Sequence, residues 1–314
     1  MMVYLLRRLA FLALTLLLTS LLIFAITQWL PGDVCRVILG REVGDAQLQA
    51  CRADLGLDQP AVLRYVNWLA EMLRGDWGNS YSNQVPTYPL VMERLGNSLR
   101  LAGLTLLIGA PLAVALGAVA ALNEGRWADN GISLLSLAVV GLPEFVTGVF
   151  LIEMLAFRFG LPASSTIRAG TPFFEALPSL ILPAITASLV LVAYVARLTR
   201  AGVLEELKQA YVRTAILKGL PRRVVIWTHV LRNALLPTIT VIAISLGWLI
   251  SGLVVVESVF NYPGLGRLMV FAITRRDLPL LQAISLVTVL GFALANLAAD
   301  LLYAALNPRI RVGE

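Results

Sequence analysis

Five stretches of this chain run for more than twenty residues without one charged side chain: 9–32, 101–123, 176–196, 233–256 and 278–299. A helix needs roughly 20 residues, at about 1.5 Å each, to cross the hydrocarbon of a bilayer, so each stretch is a candidate membrane span. A sixth span is expected over 132–157, although Glu144 and Glu153 interrupt it and Pro143 should kink it. Only 14% of the residues are charged, against about 25% in a soluble domain, and the mean hydropathy is +0.81. These values exclude an ordinary soluble domain. Arg7 and Arg8 before the first run raise the reading of a cleaved signal, but that run is too long and has no small-x-small cleavage site. It reads as an uncleaved helix.

Short loops carry the orientation. With a cytoplasmic N-terminus, the inside segments hold 13 Lys or Arg, eight of them between Arg197 and Arg232. The outside segments hold 12, of which seven fall in a stretch before residue 101 that is too long for the positive-inside bias to apply. Both termini are therefore expected inside, with the membrane crossed six times.

The outer segment 31–98 should fold into two short helices. Asp45 is placed as an N-cap with Gly56 as a stop, and Asp58, Pro60 and Gly75 repeat the scheme. In the second helix Val62, Tyr65, Val66, Leu69 and Leu73 share one apolar face, which must pack on the membrane domain or on a partner. Cys35 and Cys51 are the only cysteines, and an oxidising compartment permits either a bridge or two buried thiols. The chain thus divides into an N-terminal span (1–30), the outer helical segment (31–98) and a core of five spans (99–314).

Few residues are equipped for chemistry. The one histidine, His229, excludes a His-based zinc site, and neither Lys208 nor Lys218 sits in a GxxxxGK[ST] phosphate loop, so the chain is not expected to hydrolyse ATP. Glu144 and Glu153 are nine residues apart, which puts them on opposite faces of one helix rather than in a proton relay. Asp300, near the inner end of the last run, is expected to pair with a loop arginine. Glu257, at the outer end of the fifth, is accounted for by interfacial solvent or by a gate. Nothing points to nucleic acid.

The stretch 211–237, "YVRTAILKGLPRRVVIWTHVLRNALLP", holds five cations and no acid. Helical composition runs from Ala201 to Leu217, with Val203, Leu204, Leu207, Tyr211, Thr214 and Ala215 near one side. Gly219 can stop that helix and Pro221 can start the next. Positive-inside topology and anionic lipid explain the charge but not the punctuated hairpin (201–236), which has the form of a knob for another protein.

With "YLLRRLAFL", "LPGD", "LGLDQP", "GDWGNSY", "VVVESVFNYPGLGRL" and "DLLYAALNPRIR" beside that hairpin, nearly the whole chain resembles the membrane-spanning permeases of binding-protein-dependent ABC importers, of the dipeptide, oligopeptide and nickel type. The resemblance implies an all-α polytopic fold of six transmembrane helices with a periplasmic helical insertion after the first, and a coupling-helix hairpin between the fourth and fifth. It also implies a second homologous permease, two ATP-binding subunits that carry ATP and Mg, a periplasmic substrate-binding protein, and no cofactor on this chain. Tyr211, Arg213, Thr214, Ala215, Lys218 and Gly219 match the coupling element, with Ala215 and Gly219 allowing close approach to the ATPase. Arg213 and Thr214 replace the first two residues of the importer signature, Ile216 and Leu217 make the surface greasier, and Asn307 stands where aspartate is frequent. "NYPGLGRL" has the turn residues of an outer gate, assigned to Glu257, Asn261, Pro263, Gly264 and Gly266. Pro143, Pro183 and Pro237, with Gly247 and Gly252, are candidate flexing points. Peptides are the expected cargo, with nickel, glutathione or oligosaccharide as alternatives. A secondary transporter would need an ion site and paired broken helices, for which the sequence gives no sign.

Overall fold

The computed structural model describes residues 2–29, 34–40, 43–54, 56–165, 167 and 170–306. Among these residues the chain is helical throughout, with one isolated antiparallel bridge between Asn79 and Pro86. The helices are α1 (Met2–Trp29), α2 (Val34–Leu39), α3 (Asp45–Asp54), α4 (Ala61–Leu73), α5 (Thr87–Leu122), α6 (Trp127–Gly141), α7 (Glu144–Leu151), α8 (Phe157–Phe159), α9 (Phe173–Leu207), α10 (Ala210–Leu217), α11 (Arg222–Val224), α12 (Leu231–Gly252), α13 (Val254–Val259), α14 (Leu265–Arg275) and α15 (Leu278–Leu306). Two π-helical stretches, Ile152–Ala156 and Val225–Val230, join α7 to α8 and α11 to α12. Asn307 and the motif at 30–33 lie outside the described residues.

Five helical stretches are long and apolar enough to cross a membrane: Leu6–Trp29, Thr87–Leu122, Phe173–Leu207, Arg222–Gly252 and Leu278–Leu302. A sixth exists if α6 and the α7–α8 segment, bent by 109° at the break between them, count as one. The break falls at Leu142, which is extended (ψ 136°), and at Pro143. Proline lacks the N–H that would continue the ladder and drives the preceding residue out of the helical region. Pro183 and Pro237, by contrast, lie inside unbroken helices. Helix ends differ from the charge-free runs, since α5 begins at Thr87 and α9 continues to Leu207. A charge forbids the lipid core, not the helix, so Arg94 and Arg200 stay helical beyond the apolar run.

The chain divides into two compact units. Unit 1 comprises Met1–Ser98 and Pro263–Ala293; unit 2 comprises Leu99–Tyr262 and Leu294–Glu314.

In unit 1, α4 leans on α1 through aromatic rings. Phe24 meets Tyr65 edge-on at 5.5 Å and Trp68 at 5.7 Å, and Ser20 Oγ lies 2.8 Å from the Tyr65 hydroxyl. Only part of the expected apolar face is used, because Val62 (76%) and Leu73 (81%) stay exposed and no α4 residue is buried. Asp45 is the first helical residue of α3 rather than its N-cap, and the Gly44 carbonyl accepts the first turn's N–H groups. Pro60, not Asp58, takes the N-cap position of α4. Cys35 and Cys51 form a disulfide that ties α2 to α3, with a Cα separation of 5.9 Å. The Gln282 amide donates to Thr27 Oγ1 at 2.8 Å, linking α15 to α1. Asp277, fully buried before α15, accepts from Ser80 Oγ (2.5 Å) and from the Ser82 N–H (2.9 Å), which pins the 79–86 loop. The Tyr81 phenol in that loop is pushed above its ordinary value by burial and then by the Asp277 charge. The core beneath combines Val91 with Leu265, Leu268, Ala272, Leu280 and Ile284.

Unit 2 is organised around α9, which packs on α6, α7 and α12. Where α5 meets it, small residues recur every fourth position: Thr105, Gly109, Ala113, Gly117 and Ala121. A Cβ on Gly117 would stand 2.5 Å from the Ala196 carbonyl oxygen and 2.6 Å from Thr199 Cβ. Small residues let helices approach closely in lipid, where dispersion and not the hydrophobic effect holds them together. A second fixture is the buried Asp129 in the first turn of α6. It takes both prongs of the Arg200 guanidinium (2.5 and 2.7 Å) and the Gly125 N–H (3.0 Å).

Gly117→Val should lower the stability of the purified protein by about 1–3 kcal/mol, the usual cost of overpacking. Gly103→Val, where an added Cβ meets nothing within 4 Å, should leave it unchanged. Thermal unfolding in detergent checks the pair.

Candidate functional site

The basic hairpin is real but is divided differently from the expected 201–217 helix. Ala201 to Leu207 are the last turns of α9, and the chain breaks at Lys208 and at Gln209, which is extended (ψ 147°). The Gln209 carbonyl then accepts the Val212 and Arg213 N–H groups and opens α10, eight residues long. Gly219 ends it with φ +78°, a conformation that costs other residues about 1–2 kcal/mol. The Gly219 N–H donates to the Ile216 carbonyl (2.9 Å) and the Leu220 N–H to that of Ala215 (3.3 Å), the paired bonds of a Schellman stop. Pro221 follows as the N-cap of α11.

One face of α10 is spent on its own chain. Val212 and Ala215 are buried in a cluster with Val203 of α9, Val225 and Val230 of the π-helical stretch, and Ala234 of α12. Ala215, expected to let a partner approach, instead lets α10 lie close on α9 and α12. Its small side chain is used inward because only 8% of it is exposed. Outward face Arg213, Thr214, Lys218 and Gly219, with Ile216 (58% exposed) and Leu217 (87%). Trp227 of the π-helical stretch is also exposed, at 73%. The arrangement is a basic rim around an apolar spot, carried on a helix whose back is fixed.

Tyr211 does the fixing. Its hydroxyl donates to the Glu206 carboxylate in the last turn of α9 and accepts from Asn233 Nδ2 of α12 at 3.1 Å. Burial, and then the neighbouring Glu206, push the phenol above its ordinary value, so it remains a donor at neutral pH. One side chain on α10 therefore touches both long helices that enter and leave the hairpin. Gly202, whose missing Cβ leaves 3.1 Å to the Ala234 carbonyl oxygen, lets those two helices cross closely beside it.

Glu206, Asn233, Asp129 and Arg200 were not among the residues singled out from the sequence. The partners are 22 and 71 positions apart in the Tyr211–Asn233 and Asp129–Arg200 pairs, beyond the reach of local spacing. An acid in the first turn of an otherwise apolar helix was the available signal for Asp129.

The residues assigned to an outer gate are distributed over both units. In unit 2, Glu257 lies on α13 and is 1% exposed, so interfacial solvent does not account for it. The turn after α13 is anchored: the Tyr262 N–H donates to the Glu257 carbonyl (2.8 Å) and the Ser165 N–H to that of Phe260 (2.8 Å). Phe260 and Tyr262 are fully buried, and burial raises the Tyr262 phenol well above its ordinary value. Asn261 is exposed, with φ +57°. In unit 1, Pro263 and Gly264 are buried; the Pro263 carbonyl accepts from Asn97 Nδ2 (2.9 Å) and the Leu265 N–H donates to Ser98 Oγ (2.8 Å). Gly266, one residue into α14, is half-buried. These residues are firmly rooted. The intramembrane acids stay apart, with Glu144 opening α7, Glu153 exposed in the π-helical stretch and Asp300 half-buried on α15.

Two family models match the chain. Residues 113–312 fit the binding-protein-dependent transport system inner membrane component, and residues 1–102 fit the N-terminal region of such membrane components. The chain is 37% identical to a probable peptide ABC transporter permease protein of Sinorhizobium fredii, over 98% of this chain and 99% of that one. It is 37% identical to the glutathione transport system permease protein of Shigella flexneri and 38% identical to that of Pectobacterium atrosepticum, over 99% of each chain in both cases. The alignments take in the hairpin and all the candidate spans, so the chain belongs to the inner membrane components of binding-protein-dependent transport systems, as a permease of the dipeptide and oligopeptide type of ABC importer.

Proposed function

We propose that this chain and a second, homologous permease together line the pathway by which peptides enter the cell, delivered by a periplasmic binding protein and driven by two ATP-binding subunits. The α10 hairpin carries this reading, being fixed at its back by Tyr211 and apolar and basic at its front. It docks on an ATP-binding subunit. ATP and Mg are held by those subunits, and this chain catalyses no reaction. The same reading puts both termini and the hairpin in the cytoplasm and residues 31–98 outside, in the bacterial inner membrane.

Transmission follows from the packing. A subunit that changes shape on ATP moves α10 as a body, and the Val212 and Ala215 contacts with the Tyr211 bonds carry that movement into α9 and α12 together. The ATP-binding subunits must hold the two permease conformations with different affinity, since equal affinity shifts nothing. The π-helical stretch Val225–Val230 sits where the hairpin re-enters the membrane, a common place for a hinge. For the cargo, relatives named for peptides and for glutathione, itself a tripeptide, favour peptides over nickel or oligosaccharide. Specificity rests chiefly with the binding protein.

Gentle purification from the native membrane, followed by mass spectrometry, should recover two ATP-binding subunits and a second permease. Recovery of a well-folded chain alone would defeat the reading. Gly219→Val, which forces a branched residue to φ +78°, should still insert in the membrane but lose the co-purifying ATP-binding subunits. Tyr211→Phe should retain those subunits and yet lower peptide uptake by about tenfold, because Glu206 and Asn233 lose their common partner. Normal uptake by both variants would refute docking through this hairpin.

A further inference from the structure

Helix α4 carries two apolar stripes that meet different surroundings. At about 100° per residue, Tyr65, Trp68, Leu69 and Met72 form one stripe, half-buried against the rest of unit 1. Val62, Val66 and Leu73 form a second stripe beside it, and all three are exposed. Arg64, Asn67, Glu71 and Arg74 occupy the far side. The helix thus has a packed side, a polar side and an apolar side that the described chain leaves open, which is the pattern of a helix lodged at a boundary between two solvents.

The depth of the open stripe is set by α1. Ser20, whose Oγ lies 2.8 Å from the Tyr65 hydroxyl, stands at the middle of the charge-free run 9–32. Phe24, one turn further on, meets the rings of both Tyr65 and Trp68. From Ser20 to Trp29, the last residue of α1, the axis runs on for about 13 Å, close to half the thickness of the hydrocarbon. With α1 as a membrane span, α4 is therefore level with the outer leaflet and not with open water. Tyrosine and tryptophan are the residues favoured at that level. The same turns of α1 leave Leu17, Leu18, Leu21 and Leu22 exposed, so both open surfaces lie at one depth.

We propose that Val62, Val66 and Leu73 form a lipid-binding face that seats α4 in the outer leaflet, its occupant being the acyl chains of phospholipid. Composition favours lipid over a second protein. The contact of α5 with α9 is built from small residues, as close packing in a membrane requires, whereas this stripe consists of valine and leucine alone. A partner arriving from water would have to pass below the headgroups to reach it. The grip on α4 also reaches the span that follows: Trp77 Nε1 donates to the Met72 carbonyl at 3.2 Å, and its ring meets Tyr88 of α5 edge-on at 4.8 Å. Lipid contact at α4 thereby steadies the outer start of α5. The inference needs only that α1 spans the membrane and stands apart from the importer reading.

Photolabelling from within the bilayer tests the face on the unaltered protein. The full chain, with the subunits that accompany it, is placed in phosphatidylcholine nanodiscs containing a phospholipid with a diazirine on one acyl chain. After irradiation, adducts are mapped by mass spectrometry. Val62, Val66 and Leu73 should be labelled as readily as Leu17 and Leu18 of α1, and Asn67 and Glu71 about tenfold less, because they face away from the hydrocarbon. In Val66→Asp, labelling of Val62 and Leu73 should fall about tenfold while that of Leu17 and Leu18 holds, since a carboxylate is costly at this depth. Labelling of α1 without labelling of the α4 stripe means that another protein covers the stripe and overturns the proposal. So does a loss of α4 labelling when the periplasmic binding protein is added, which would make the face a docking surface for that protein. Equal labelling of Val66 and Glu71 would show that α4 has no lipid-facing side and overturns it as well.

Discussion

The close contact between α5 and α9 is the constraint on which unit 2 depends. Burying apolar surface gives helices in lipid little reason to associate, because the surroundings are as apolar as they are. What holds them is the number of atoms in contact, and that number rises only where backbones come near. Gly109 and Gly117 permit it, with Ser188, Leu191, Ala196 and Thr199 fitting into the space left by the missing side chains. Once α9 is seated, α6 is registered against it by the Asp129–Arg200 pair, and α12 crosses it at Gly202. The hairpin then inherits its position, since it connects those two helices directly.

Much of this was legible from residue types alone. The spans are visible because lipid excludes charge over a fixed length, and the kink near Pro143 was expected from the missing N–H, although the same residue type at Pro183 and Pro237 leaves its helix unbroken. Gly219 and Pro221 likewise act on their own backbone, so they mark the hairpin turn without help from distant residues. The boundary at Lys208 and Gln209 was not legible, as the residues on both sides favour helix and the break lets Val212 of α10 turn back into the same cluster as Val203 of α9. Pairings across long separations, such as Tyr211 with Asn233, were invisible for the same reason. Glu257 shows the opposite error. A carboxylate beside an apolar run suggests solvent, yet its buried position is set by the fold of the segment after it.

The two faces of the hairpin obey different rules. The inner face is dry and shape-matched, with Val212 and Ala215 filling a fixed space. The outer face leaves Ile216, Leu217 and Trp227 in the open among cations, an arrangement that repays a chain only when something covers it. Because Tyr211 joins the two, loss of its hydroxyl would leave the outer surface intact while loosening its attachment.

The length of α9 has a mechanical meaning. Its 35 residues extend for roughly 52 Å at about 1.5 Å each, whereas the hydrocarbon of a bilayer is only about 30 Å thick. The surplus makes it a lever with one end at the hairpin. A tilt of about 10° around its midpoint would displace each end by roughly 4–5 Å, about the rise of one helical turn. A rigid rod of this kind needs no unfolding and no hinge in its middle to turn a small push at one end into an opening at the other.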